Sequence, residues 1–102
     1  AVIAAGEATG DHAWHLPMHD EYKTNLKTDC ADLKNSGSRD GGALSAGTFL
    51  QHFAKDTPFV HLDIAGTGML TKPRLWYGAK GSSGWGVRLL TELANDWSPG
   101  RP

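Results

Sequence analysis

A chain of 102 residues with 10 Lys+Arg against 11 Asp+Glu, a formal charge of -1 and 39% hydrophobic residues is bounded at one small domain. The balanced charge, with no block of Lys or Arg, excludes an electrostatic footprint for nucleic acid or an anionic membrane surface, so neither is expected as a partner. No apolar run approaches the roughly 18 residues that span a bilayer, and the single cysteine, Cys30, cannot close an intrachain disulfide. A soluble, cytoplasmic protein is the expectation.

Taken in chain order, Val2–Ala8 reads as the last turns of a helix that closes at Gly10, with Asp11 after it. His12–Met18 alternates loosely until Pro17 interrupts it, the pattern of an edge strand. His19–Thr28 carries Asp20 and Glu21 at one end and Lys23 and Lys27 towards the other, as a short dipole-matched helix does. Cys30–Lys34 is a brief strand candidate in which Cys30 reads as a small buried hydrophobe, and Asn35–Gly42 is a glycine-rich loop. Ala43, Ala46, Phe49, Leu50 and Phe53 recur at helical spacing and predict an amphipathic helix ending near Lys55. Phe59–Ala65 has the apolar and β-branched content of a buried strand, so strand, helix and strand together predict a βαβ unit. Gly66–Gly86 is a long glycine-rich loop of the kind that carries function. A last helix from about Gly84 places Val87, Leu90, Leu93, Ala94 and Trp97 on one face, and 98–102 reads as a disordered tail.

That inventory contains too few strands for a parallel sheet covered by helices on both faces, which normally needs four or more. The expected class is α/β, a partial three-layer sandwich with a mainly parallel sheet, incomplete as an isolated chain. Residues 1–97 read as the C-terminal portion of a larger domain that begins before Ala1.

Four local patterns admit a chemical and a plain reading. His12, His15 and His19 have spacing that a metal could share, but Pro17 breaks the helix that would align them, which favours a polar strand end. His61 and Asp63 share a strand face, as a base and its orienter would, or as a structural hydrogen-bonded pair. Gly81–Gly86 ahead of a helix could cradle a phosphate, or form a turn with Ser83 near the N-cap. Arg39 and Asp40 could touch substrate or sit in a solvated turn.

Ala5-Gly6-Glu7, Gly10-Asp11, Trp14-His15-Leu16-Pro17-Met18, Asp29-Cys30-Ala31-Asp32-Leu33-Lys34-Asn35, His61-Leu62-Asp63-Ile64-Ala65-Gly66-Thr67 and Gly81-Ser82-Ser83-Gly84 before Val87-Arg88-Leu89-Leu90 resemble, in order and spacing, the C-terminal third of the catalytic domain of the leucyl (cytosol) aminopeptidase family. The resemblance runs from about Ala4 to Ala94. It implies a two-metal exopeptidase, using zinc or manganese, that removes N-terminal residues from peptide substrates and assembles as a homo-hexamer. The family's Asn-Thr-Asp-Ala-Glu-Gly-Arg-Leu motif, which supplies metal ligands and the catalytic Arg, does not occur here. The resemblance therefore assigns this chain no catalytic residue and no metal ligand, and the chain alone is expected to bind neither metal ion and to be inactive.

What the resemblance does assign is pocket wall. Ala65 matches a position lining the substrate side-chain pockets, at the carboxyl end of a strand where α/β sites lie. Gly68 falls where family members often carry Met or Ala against the first side chain, and Ser36 where they often carry Ile beside the second. Both replacements imply wider or less apolar walls, weakening apolar discrimination by on the order of 1–3 kcal/mol per lost contact. A reading of a different class is a non-catalytic interaction or assembly module derived from the same fold.

Overall fold

The computed structural model describes residues 1–37, 39–73 and 78–97. The tail expected at 98–102 lies outside the described residues. Helix α1 spans Val2–Thr9, a 3₁₀ helix spans Asp20–Leu26, α2 spans Gly42–Ala54, and α3 spans Val87–Asn95. Two short strands, β1 (Met69–Leu70) and β2 (Gly81–Ser82), pair antiparallel with Met69 opposite Ser82 and Leu70 opposite Gly81. Mixed helices with a small antiparallel sheet are compatible with α/β, while a parallel three-layer arrangement is not formed among the described residues. No helix among them is long and apolar enough to cross a membrane.

The described residues divide into two units, Ala1–His15 with those from Ile64 onward, and Leu16–Asp63. In the first, α1 packs on α3. Gly10 ends α1 in the left-handed region, at φ 77°, where a side chain would clash with the backbone, and this turns the chain back towards α3. Contact between the helices is close because Gly6 has no side chain. A Cβ there would lie 2.8 Å from the Asp11 carbonyl oxygen and 3.4 Å from Leu89 Cδ1. Leu89, 0% exposed, fills the space this leaves.

In the second unit the 3₁₀ helix packs on α2. Leu26, 1% exposed, closes the end of the 3₁₀ helix, and its carbonyl accepts a hydrogen bond from the Lys34 N–H at 2.9 Å, which fastens the loop between them. The loop then runs directly against α2, since a Cβ on Gly37 would lie 2.6 Å from Ser45 Oγ. On the outer face of the 3₁₀ helix the Lys23 ammonium bonds the Asp20 carboxylate at 2.7 Å and holds its pKa below the ordinary value. Both groups are solvated and the pair contributes little.

Several expected elements take other forms. Phe59–Ala65 contains no strand, and Cys30–Lys34 is a series of bends, so the βαβ unit is not formed. The reason is physical: a strand is stabilised by the ladder of a neighbour, and neither segment has one among the described residues. Cys30 is exposed, its sulfur 3.3 Å from Thr28 Oγ1. The apolar stripe of α2 is not its buried side. Ser45, Gly47 and Thr48 are buried, whereas Phe53 is 62% exposed. In α3, Leu89 is buried while Val87, Leu90 and Trp97 of the expected apolar face are exposed.

Replacing Gly6 by Ala tests the α1–α3 packing. Alanine is the better helix former by about 1 kcal/mol, yet the added methyl meets backbone that cannot rotate away. The expected net result is a loss of roughly 1–3 kcal/mol, read from the urea midpoint. An unchanged or higher midpoint would contradict the close contact.

Candidate functional site

Ala65 opens a turn over 65–67 in the first unit. The Ile64 carbonyl accepts hydrogen bonds from the N–H groups of Thr67 at 3.0 Å and Gly68 at 2.7 Å, which winds the turn tightly. Gly68 is where a side chain would crowd the turn. A Cβ there would lie 3.1 Å from the Ile64 carbonyl oxygen and 3.3 Å from Ile64 Cδ1. The Gly68 carbonyl in turn accepts from the Ser83 N–H at 3.0 Å, extending the β1–β2 pairing by one rung and tying this turn to the segment that enters α3.

That segment is held by Asp11. Helix α3 starts after Gly86 (φ 93°), which has no side chain to cap the first turn. Asp11, 75 residues away in sequence, supplies the cap instead. Its Oδ2 accepts from the Gly86 N–H at 3.1 Å and the Leu89 N–H at 3.2 Å, and its Oδ1 accepts from Arg88 Nη2 at 2.7 Å. Asp11 is 2% exposed. Burial alone would raise its pKa, but the Arg88 hydrogen bond, the two backbone N–H groups and the Arg88 charge together outweigh burial and hold the carboxyl below its ordinary value. The positive end of the helix dipole acts in the same sense.

This arrangement disposes of the phosphate reading of Gly81–Gly86. The anion at the helix N-terminus is the protein's own carboxylate. Ser83 is not the N-cap either; its Oγ accepts from the Trp85 N–H at 3.1 Å, closing a turn two residues earlier. Among the described residues no group of three His, Cys, Asp or Glu could hold a metal ion. His12 Nδ1 lies 3.3 Å from Glu7 Oε1, and the His19 ring stands edge-on to Tyr22. The donor set among the described residues thus does not fit a di-metal centre.

In the second unit Ser36 lines an open groove of about 440 Å³, together with Leu26, Asn35, Ala46, Phe49 and Leu50. Three of these, Ala46, Phe49 and Leu50, belong to the apolar stripe of α2. His61 lies near Gly47, where a Cβ would be 3.7 Å from its Cδ2. Arg39 and Asp40 are exposed and do not line the groove. Asp11 and Arg88 escaped the sequence reading as functional residues. The available signal was indirect: a helix that starts at glycine needs an acceptor from elsewhere.

The chain matches the cytosol aminopeptidase family, catalytic domain, over residues 1–91. It is 50% identical over 96 residues to a probable cytosol aminopeptidase of Solibacter usitatus (strain Ellin6076), covering 94% of this chain and 20% of that protein. A probable cytosol aminopeptidase of Geobacter sp. (strain M21) is 50% identical over 92 residues, 90% of this chain and 18% of the relative. One from Roseiflexus castenholzii (strain DSM 13941 / HLO8) is 42% identical over 97 residues, 95% and 20% respectively. The chain therefore belongs to the cytosol aminopeptidase family, a family of peptidases. It spans about a fifth of the length of these curated relatives.

A carboxyl whose pKa is depressed by folding adds stability that is complete above its unfolded value, about 4, and is lost as pH falls through the folded value. At neutral pH Asp11→Asn is expected to lower stability by about 2 kcal/mol, because the amide oxygen still accepts the two backbone N–H groups but the charge-assisted bond from Arg88 is lost. The gap between the two proteins should narrow as pH falls below about 4. Melting curves of both from pH 7 to 3 check this, and a gap that stays constant would remove the charge from the account.

Proposed function

We propose that this chain is the C-terminal catalytic-domain segment of a di-metal leucyl-type aminopeptidase that removes N-terminal residues from peptides, and that it supplies substrate-pocket wall and scaffold. The observation that carries the reading is the family match over residues 1–91 in a chain that spans about a fifth of its relatives. In this reading the two zinc or manganese ions are held by other parts of the full-length protein, which carry the Asn-Thr-Asp-Ala-Glu-Gly-Arg-Leu motif that does not occur in this chain. Bound there, the metals would supply the activated water and polarise the scissile carbonyl. No residue of this chain takes a step in that chemistry.

The part of this chain is selection. Ala65 and Gly68 face the first side chain of the peptide, and Ser36 stands beside the second. A methyl and a bare backbone leave room, so the first pocket accepts larger side chains than a wall bearing Met would. Exposure of Val87 and Leu90 on α3 and of Trp97 just after it supports the scaffold role, since apolar faces of this kind belong against further protein. The full-length protein would work as a cytoplasmic homo-hexamer.

Full-length protein carrying this segment is expected to hydrolyse a leucine anilide in the presence of zinc or manganese and to lose turnover to a chelator. The 102-residue chain alone should show neither turnover nor stoichiometric metal binding. Ala65→Leu should lower kcat/KM for substrates with large first side chains by about 10–100-fold relative to alanine substrates. Turnover by the isolated chain would overturn the assignment of the metals to other parts, and a full-length protein without peptidase activity would favour a non-catalytic assembly module.

A further inference from the structure

We propose that Asp11 is a positioning residue for the substrate-side wall: it fixes the turn that carries Ala65 and Gly68 through a continuous run of hydrogen bonds, without touching the substrate. The proposal rests on the reading of Ala65 and Gly68 as pocket wall.

The run starts at a carboxylate that has both oxygens committed. Oδ2 takes the Gly86 and Leu89 N–H groups and Oδ1 takes the Arg88 guanidinium. Gly86 is thereby pinned at the mouth of α3, in a left-handed conformation that glycine alone adopts without cost. Upstream, the Ser83–Trp85 turn is closed by Ser83 Oγ accepting the Trp85 N–H, and the Val87 N–H bonds the Gly84 carbonyl at 3.2 Å. Ser83 is thus held from its C-terminal side, and its own N–H donates to the Gly68 carbonyl. Gly68 closes on Ile64 through the 2.7 Å bond that defines the wall turn. From Asp11 to Ala65 every link is a short turn or a hydrogen bond.

The β1–β2 pairing is only two residues long on each strand. So short a ladder cannot hold a wall in place by itself. The rigidity must enter from the buried end, where Asp11 is anchored by α1 and the Gly10 turn. Arg88 is the weaker member, because its side chain is 59% exposed while the two backbone bonds are buried.

The test is made in the full-length enzyme with its metals, at a temperature well below the melting point of each variant. Three variants are compared: Asp11→Ala, Arg88→Met and Ala65→Leu. For each, kcat and KM are measured on anilides with small and large first side chains. A merely destabilised enzyme loses activity towards all substrates in equal proportion, whereas a displaced wall changes their ratio. Asp11→Ala, which leaves no oxygen to accept the Gly86 and Leu89 N–H groups, is expected to change the large-to-small ratio of kcat/KM by about tenfold, mostly through KM, with the metal content unchanged. Arg88→Met should change it in the same direction by a smaller factor, and it keeps the test available should Asp11→Ala not fold. If Ala65→Leu shifts the ratio while Asp11→Ala and Arg88→Met, each folded, leave it unchanged, the positioning role is overturned. If Ala65→Leu itself has no effect on the ratio, the pocket-wall reading fails, and the proposal with it.

Discussion

The carboxylate of Asp11 joins the first helix of the chain to the last. It takes up two N–H groups at the mouth of α3 and a guanidinium from its first turn, all from residues 75 to 78 positions away in sequence. Everything else in the first unit is arranged so that this can happen. Gly10 reverses the chain at the end of α1, Gly6 allows the Asp11 backbone to approach, and Leu89 fills the space between the helices. A buried carboxylate with a missing partner would be costly, whereas one with three donors is stabilising and specific in geometry. The same carboxylate substitutes for the capping side chain that Gly86 lacks, so α3 depends on a contact that forms only when both helices are in place.

The second unit follows a different logic. Small residues of α2 are buried, and its Phe49 and Leu50 line a groove beside Ser36. The first unit likewise exposes Val87, Leu90 and Trp97. Apolar surface left open on both units accords with a chain that spans about a fifth of its relatives. It also accounts for Phe59–Ala65, which has the composition of a buried strand and forms none among the described residues. Strand propensity expresses a preference for a pleated, partly buried surface, and without neighbouring strands there is no such surface to join.

Helices were legible because their signals are local. The capping glycine and following Asp marked the end of α1, the stripe from Ala43 to Phe53 marked α2, and the run from Val87 marked α3. The strands were not, because a strand is defined by its partner. Of the candidate site, Ala65, Gly68 and Ser36 were assigned through resemblance alone, and it was the order and spacing of the motifs around them that identified the family. The Asp11 clamp on α3 was illegible, since nothing near Asp11 announces that its acceptors will be used 75 residues on.

By itself the sequence determined the family, the three α-helices and the lack of the family's metal-binding motif, each of which is fixed by residue identity at short range. Only the tertiary structure decided which face of each helix is buried, that the N-terminus of α3 is occupied by Asp11 rather than open to an anion, and that Gly68 is tied through Ser83 to that clamp. The physical reason is that hydrogen-bond donors and acceptors are chosen by distance in space. A carboxylate finds its partners once the chain has folded, and the order of residues along the chain does not name them.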